Sequence, residues 1–328
     1  MSEQKTNSIV AVKKVLEKIK DRVFTHIYYI ACGGSSALMY PSAYLVDTRS
    51  KNMAAEYLNS NEFIYRNPAA LNEKAVVILC SQEGKTPETV AAAKFATTKG
   101  ATVITIAMED DTPLEDASDF FVKYAYYETA DMIDTSYGVM YLLTAGIIDA
   151  QDGTQLLEGM VRNLNRITPI VQVAKKQYAD KALEFATACK DSKVIYSLSS
   201  GSDYSQSYVL CNCYMMEMQW INAIPIHAGE FFHGPFEIIE KDSPVLLLMG
   251  RDETRFLEER ALKFCRKFTD NLFVIDTTEI DFTGIDPEYE GYMSILVLNN
   301  ICRIYAKTIA NVREHSLDIR RYMHLMQY

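Results

Sequence analysis

The chain has 328 residues, of which 48% are hydrophobic and 23% are charged, and its formal net charge is −10. This length and composition predict a soluble globular protein of about two domains. The acidic balance, with no basic stripe to offset it, argues against a nucleic-acid partner, and no apolar run reaches the ~20 residues that a membrane helix needs. The first residues, MSEQKTNSIVAVKK, contain no apolar signal region, so we expect a cytoplasmic protein.

The seven cysteines agree with that location, because an odd number of thiols suits a reducing compartment. Cys211 and Cys213 do not have the spacing of a zinc site and no second pair accompanies them, so we expect no metal. Four cysteines lie in apolar runs and are expected to be buried free thiols: Cys32, Cys80, Cys211 and Cys213.

Short apolar runs alternate with helical stretches along the whole chain, which is typical of parallel sheets covered on both faces. After an amphipathic helix within residues 1–23, the first half is predicted to contain strands at His26–Ala31, Ala75–Cys80 and Thr102–Ala107, with a helix over about 36–47. The second half repeats this spacing, with strands at Lys193–Leu198, Val245–Met249 and Asn271–Asp276.

The repeat predicts an α/β protein made of two doubly wound, flavodoxin-like lobes with parallel sheets. We expect the first lobe at residues 24–150, the second at 151–310 and a C-terminal tail at 311–328. Ligands of such sheets collect at the carboxyl ends of the strands, so the loops that follow the strands are candidate sites.

Two loops in the first half have the composition of phosphate sites. Glycine lets the backbone approach a ligand closely, and hydroxyls at a helix start would help hold a dianion there. The alternative, that these are ordinary turn and capping residues, stays equally open. The candidate phosphate ligands are Gly34 and Ser35 in the loop Cys32–Ser36, and Ser81, Gln82 and Thr86 in the loop after the second strand.

The sequence Gly84-Lys85-Thr86 imitates the end of a nucleotide-binding P-loop. That motif requires a glycine five positions earlier, where this chain has Leu79. No G-x-G-x-x-G follows a strand either, so neither a nucleoside triphosphate nor a dinucleotide cofactor is expected.

An acid–base pair is suggested by the segment EMQWINAIPIHAGEFFHGP, residues 217–235. Glu217 lies in an otherwise apolar stretch of helical length, and His233 follows in a glycine-flanked loop; both residue types transfer protons near neutral pH. Glu217 could equally be a carboxylate paired inside the core, and a loop histidine is often idle. Glu230 is a candidate substrate contact, whereas His227 follows an apolar run and is interpreted as structural.

These loops and this segment resemble the sugar isomerase (SIS) superfamily over nearly the whole chain. The motif Gly229–Pro235 and its spacing from Glu217 are similar to the isomerase half of glucosamine-6-phosphate synthase. The runs MEMQWI, IHAGEFFHGPFEI and ACGGS and the tail Arg321-Tyr322-Met323 are especially similar to fructosamine-6-phosphate deglycases. Two positions depart from the synthase: Glu83 replaces a serine, and the tail lysine is replaced by Leu325 or His324. The role of the tail is therefore left open.

The resemblance implies a function and a set of roles. Gly34, Ser35, Ser81, Gln82 and Thr86 would hold the sugar phosphate. Glu217 and His233 would transfer protons, with the histidine offered to the neighbouring subunit of a homodimer. The expected reaction converts a 6-phosphorylated fructosamine and water into glucose 6-phosphate and an amino acid, with no cofactor and no membrane or nucleic-acid partner.

Two alternatives remain at the level of sequence: an aldose–ketose sugar-phosphate isomerase, and a non-enzymatic sugar-phosphate sensor. The conjugated amino acid, the nitrogen that joins it and any assembly beyond a dimer are not specified by the sequence.

Overall fold

The computed structural model describes residues 8–323 and 325–326. The chain divides into two compact units, Met1–Thr168 and Pro169–Tyr328. Each unit contains one parallel sheet flanked by helices, which confirms the α/β class and the two-sheet prediction. The domain limits predicted near residues 24, 150 and 310 stay a prediction. The residues that the structure describes include no helix long and apolar enough to cross a membrane.

The first unit is built on a five-stranded sheet in the order β2-β1-β3-β4-β5, and all of its strands are parallel. Its strands are β1 (His26–Ala31), β2 (Ala54–Asn59), β3 (Ala75–Cys80), β4 (Thr102–Ala107) and β5 (Phe120–Lys123). Its helices are α1 (Ser8–Ile19), α2 (Gly33–Ala37), α3 (Tyr40–Arg49), α4 (Ser60–Arg66), α5 (Pro87–Thr98), α6 (Pro113–Asp116) and α7 (Ser136–Asp152), with a 3₁₀ turn at Met132–Asp134.

The second unit has a four-stranded parallel sheet in the order β7-β6-β8-β9. Its strands are β6 (Val194–Ser199), β7 (Asn222–His227), β8 (Val245–Met249) and β9 (Leu272–Asp276). Helix α8 (Leu156–Gln177) runs into this unit from the first one, and α9 (Ala179–Cys189), α10 (Tyr204–Tyr208), α11 (Arg255–Phe268) and α12 (Glu290–Val312) follow. A π-helix spans Val209–Met218, and 3₁₀ turns lie at Gly201–Asp203, Phe231–His233, Pro235–Ile238, Thr277–Glu279 and Pro287–Tyr289.

The strand order locates the candidate ligand edge of each sheet. In the first unit, the chain turns one way from β1 to β2 and the other way from β3 onward, so the order reverses between β1 and β3. The crevice at such a reversal, outside the carboxyl ends of the strands, is where flavodoxin-like sheets bind ligands. The loops Cys32–Ser36 and Ser81–Thr86 leave these two strands. In the second unit, the same reversal lies between β6 and β8.

The central strands are fully buried, which explains why their sequences lack a polar alternation. Strands β3 and β4 are buried at all six of their positions, as expected when helices cover both faces. The edge strands β2, β5 and β7 are only partly buried and were not predicted from sequence. The helix predicted over 36–47 is interrupted, because α2 ends at Ala37 and α3 begins at Tyr40.

Candidate active site

The loops after β1 and β3 lie side by side, and Ser35 joins them. Its hydroxyl hydrogen-bonds the thiol of Cys80, the last residue of β3, next to Ser81. Burial raises the pKa of the Cys80 thiol to about 12, so this thiol stays neutral. Gly34 is exposed beside Ser35, with open backbone at the start of the short helix α2. The two predicted phosphate loops therefore form one edge of the first unit.

The loop Ser81–Thr86 is held by its own hydroxyl groups. Ser81 Oγ lies 2.9 Å from Thr86 Oγ1 and also accepts a 3.4 Å bond from the Thr86 backbone N–H. Gly84 has φ of +65°, and a Cβ there would lie 2.3 Å from Thr112 Oγ1, so only glycine fits this turn. Ser81 is buried, whereas Gln82 is exposed on the outer side of the loop.

In the described part of the chain, the start of α5 leaves backbone donors unpaired that an anion could bind. Thr86 occupies the N-cap of α5, yet its side chain makes no capping hydrogen bond to that helix. Among the described residues, no acceptor pairs with the backbone N–H groups of Gln82, Glu83 or Lys85. Free N–H groups at the start of a helix favour a dianion. The exposed Lys85 pairs with Glu109 at 3.0 Å and is therefore turned to a different partner.

The matching loop of the second unit is filled by a side chain of the protein itself. Glu258 is fully buried, and its Oε1 accepts hydrogen bonds of 3.0 Å from both the backbone N–H and the hydroxyl of Ser200. Its Oε2 accepts a 3.0 Å bond from the Gly250 N–H. A side-chain carboxyl group thus takes donors that an external anion would need in this loop.

A second buried carboxyl group lies beside Glu258. Asp203 is fully buried, and neither of its oxygens has a hydrogen-bond partner among the described residues. Burial, together with the nearby Glu258 and Asp252 carboxylates, raises the pKa of Asp203 well above its ordinary value. Because Glu258 has three donors and Asp203 has none among the described residues, the charged form is disfavoured more strongly at Asp203.

Glu217 lies near the end of the π-helix Val209–Met218, which confirms the predicted helical stretch but with a wider turn. π-helical turns are rare and frequently occur at functional sites. The Glu217 side chain is 23% exposed, so it reaches solvent from a mostly buried helix. Cys213 lies beneath it and is buried, and burial is the main reason that the pKa of this thiol is raised to about 12.

The C-terminal segment provides the partner of Glu217. Arg320 Nη2 lies 2.8 Å from Glu217 Oε1, and Arg320 Nη1 donates to the carbonyls of Leu317 and Ile319 at 2.6 and 3.0 Å. Among the described residues, Glu217 Oε2 has no partner. The carboxylate is thus paired, as the alternative interpretation allowed, but at the surface with one oxygen open to a ligand.

His233 ends a 3₁₀ turn, Phe231–His233, that stands on an aromatic cluster. Phe231 is fully buried and packs against Phe264 with ring centroids 5.5 Å apart. Gly234 follows with φ of +139°, a conformation that essentially only glycine adopts. The His233 ring is exposed and makes no hydrogen bond with any residue that the structure describes. The loop therefore presents this imidazole to solvent.

The neighbouring candidates differ in character. His227 Nδ1 accepts a 3.1 Å hydrogen bond from the Gly229 N–H, and burial lowers the pKa of this imidazole. A neutral, backbone-bound His227 agrees with its structural interpretation. Glu230 is exposed, and its carbonyl accepts from the His233 N–H at 2.9 Å, so it belongs to the same loop.

The remaining predictions concern metals, thiols and the tail. No cluster of His, Cys, Asp and Glu suited to a metal occurs in residues 8–323 or 325–326. All seven cysteines are free and six are buried, but Cys32 is only partly buried, because it lies in the open loop after β1. Leu325 is exposed, whereas His324 lies outside the described residues.

Arg320 and Arg321 form the basic side of the candidate site, and the sequence analysis gave them no role, although the resemblance included the tail run Arg321-Tyr322-Met323. They come from a short stretch about a hundred residues after Glu217, where no periodicity points to a function. A second signal was the density of arginines in LDIRRYM, which an acidic chain does not need for solubility.

The fold and these loops are those of sugar isomerase proteins: residues 23–148 match the SIS domain family. The chain belongs to this SIS superfamily, together with fructosamine deglycase FrlB of Bacillus subtilis (strain 168), to which it is 43% identical over 317 residues covering 97% of each chain. Fructoselysine 6-phosphate deglycase of Escherichia coli (strain K12) is 26% identical over 97% of this chain and 91% of that one. A solved Bacillus subtilis structure of a candidate phosphosugar isomerase has a TM-score of 0.96 and 42% identity, covering 98% of this chain and 99% of that one.

Proposed function

We propose that this protein is a fructosamine-6-phosphate deglycase, which converts a 6-phosphorylated Amadori compound and water into glucose 6-phosphate and a free amino acid. The observation that carries the proposal is the full-length relation, at 43% identity, to fructosamine deglycase FrlB. The fructoselysine 6-phosphate deglycase of Escherichia coli, also matched along nearly its whole length, supports the phosphorylated form of the substrate.

The phosphate group is bound by the open loops of the first unit. Ser35, Ser81 and Thr86 supply hydroxyls, and Gly34 and Gln82 supply close backbone and amide contacts. The free N–H groups of the Ser81–Thr86 loop and the start of α5 favour the dianion. Binding energy from this remote group positions the reacting carbons.

Glu217 transfers the proton between the two reacting carbons. His233 first helps to open the sugar ring by moving a proton at the ring oxygen. Glu217 then removes a proton from C1, which bears the nitrogen, and the electron pair forms an enolamine with C2. Return of a proton to C2 leaves an imine at C1. Water adds to C1, the C–N bond breaks, and the amine departs with a proton, so the atoms balance without a cofactor.

The proposal includes a homodimer in the cytoplasm, in which His233 serves the site of the neighbouring subunit. Support comes from the exposed His233 ring, which has no side-chain partner among the described residues, on a loop supported by buried aromatic rings. The seven free thiols support a reducing compartment.

The test is a substrate panel with a matched variant. Phosphorylated fructosamines of lysine and asparagine, with fructose 6-phosphate as the isomerase substrate, are incubated with the enzyme, and products are identified by mass spectrometry. We expect glucose 6-phosphate and free amino acid from a fructosamine. Glu217→Gln should keep the fold and lose most turnover, whereas Glu237→Gln, an exposed carboxylate further along the His233 loop, should stay active. Product formation by Glu217→Gln at the unmodified rate contradicts the assigned role.

A further inference from the structure

The segment after α12 is fastened to the end of the π-helix. Arg313 Nη1 donates to the carbonyl and the side-chain Oε1 of Gln219, at 2.5 and 3.1 Å. Gln219 Nε2 in turn donates to the His315 carbonyl at 2.8 Å. Gln219 is fully buried, so these bonds are shielded from water. The segment therefore has a defined position two residues away from Glu217.

Trp220 is held in a strained and partly open position on this surface. Its φ of +57° is unusual for a bulky residue, so the backbone is strained there. The indole is 37% exposed and packs edge-on against the His315 ring, with centroids 4.4 Å apart. Strain of this kind persists where the surroundings demand it, and it clusters at ligand sites.

Arg321 lies over the face of this indole and has no anionic partner among the described residues. Its guanidinium carbon is 3.9 Å from the Trp220 ring centroid, and the side chain is exposed. Its neighbour Arg320 is committed to Glu217 at 2.8 Å. No carboxylate in the described part of the chain pairs with Arg321, although the protein has an excess of ten negative charges. A stacked guanidinium keeps its planar edge of N–H donors free for a carboxylate.

We propose that Arg321, stacked on Trp220, binds the carboxylate of the amino acid that the sugar carries at C1. This inference rests on the proposed deglycase function. Glu217 acts at C1 and C2, and the amino acid begins at the nitrogen on C1. In a conjugate joined through its α-nitrogen, only the α-carbon separates that nitrogen from the carboxylate. The carboxylate then lies within a few ångströms of the proton-transfer site, next to the residue that holds Glu217.

Trp220 contributes in two ways. Its indole fixes the guanidinium plane, so less side-chain freedom is lost when a carboxylate binds. Its exposed part offers an apolar surface for the carbon atoms of the amino acid. Arg320 is already held by other groups, because its two Nη atoms bond Glu217 and the carbonyls of Leu317 and Ile319.

The test compares two ligands that differ only in the carboxylate. They are the reduced, non-reacting analogues of glycine-conjugated and glycinamide-conjugated fructose 6-phosphate, and their dissociation constants are measured by calorimetry. The unmodified protein should prefer the carboxylate, and Arg321→Gln should weaken its binding by about 10- to 100-fold while changing that of the carboxamide less than about twofold. Arg321→Lys keeps the charge but loses the paired N–H donors of a guanidinium, so its affinity for the carboxylate analogue should lie between those of the unmodified protein and Arg321→Gln. Arg66 is an exposed arginine of α4, and Arg66→Gln is the matched control, which should change the dissociation constant of neither ligand.

An equal loss for both ligands in Arg321→Gln, or no loss for either, overturns the inference. This readout is independent of turnover. Failure of the proposed function would instead appear as an absence of glucose 6-phosphate from the whole fructosamine panel.

Discussion

Arg320 and Glu217 form an ion pair of 2.8 Å between the C-terminal segment and the π-helix, and both side chains are largely shielded, at 18% and 23% exposure. The pair engages Oε1 of the carboxylate and leaves Oε2 without a partner among the described residues. A bond of this kind fixes the rotamer of a side chain that otherwise has three rotatable bonds. We therefore propose that the tail has a positioning role at Glu217, the candidate acid–base residue.

Replacing Arg320 should therefore lower the rate of proton transfer more than it weakens substrate binding. We expect Arg320→Ala to reduce kcat by about 10- to 100-fold because Glu217 loses its orientation, with a smaller change in KM. Arg320→Lys should recover part of the rate, since the charge remains while the guanidinium contacts that hold the side chain in place are lost. Steady-state kinetics with a fructosamine 6-phosphate that the enzyme accepts give kcat and KM separately. Arg66→Ala is the control. A rise in KM alone, with kcat unchanged, would show that Arg320 binds substrate instead.

Removing a hydroxyl from the Ser81–Thr86 loop should weaken substrate binding rather than lower kcat. Thr86→Val keeps the shape of the side chain but removes the hydroxyl that lies 2.9 Å from Ser81 Oγ. We expect KM to rise by about tenfold or more, because one charge-assisted hydrogen bond to the phosphate is lost, while kcat changes little. Inhibition by inorganic phosphate should weaken in parallel. Thr98→Val, at an exposed position near the end of the same helix, should leave both quantities as they are. An unaltered KM in Thr86→Val would remove this loop from the phosphate site.

The sequence predicted the central strands well because burial on both faces leaves a continuous apolar run, as in Ala75–Cys80. It missed Ala54–Asn59 and Phe120–Lys123, because edge strands are only partly buried and their polar residues imitate loops. Glu217 and His233 were predicted from a local motif and stay predictions, and the structure adds their surroundings: an arginine partner for one and an exposed loop for the other.

The tail and the second unit show what a local pattern cannot supply. Arg320 reaches Glu217 across more than a hundred residues of chain, so only the fold makes them neighbours. The loop Ser199–Ser202 is rich in serine and glycine like the candidate phosphate loops of the first half, yet donors of Ser200 are taken by Glu258. Composition alone cannot distinguish an open anion site from one that the protein has filled.

If His233 serves the site of the neighbouring subunit, as proposed, two inactive variants should complement each other. Glu217→Gln and His233→Ala homodimers should each be nearly inactive. When they are unfolded together and refolded, or co-expressed, one of the two sites in each mixed dimer keeps both groups. About a quarter of the unmodified activity is then expected, because half of the dimers are mixed and each has one intact site, as in any random pairing of equal amounts. Sedimentation should report a dimer for every variant. Activity no greater than the sum of the two homodimers would place both groups in one subunit.

Asp203 predicts an unusual dependence of stability on pH. Its pKa is raised in the folded protein by burial and by nearby carboxylates, whereas in the unfolded chain it has the ordinary value of about 3.9. As pH rises above that ordinary value, the unfolded state loses the proton while the folded state keeps it. This group therefore lowers the free energy of unfolding until the folded pKa is passed.

Asp203→Asn should remove this loss of stability, because an amide resembles the protonated acid and can donate to neighbouring carboxylates. We expect urea unfolding to show a gain of about 1 kcal/mol or more at pH 8 and a smaller gain at pH 5. The exposed Asp180→Asn should change little at either pH, and a marked loss of stability in Asp203→Asn at pH 8 would mean that the ionised carboxylate has a partner such as a bound cation.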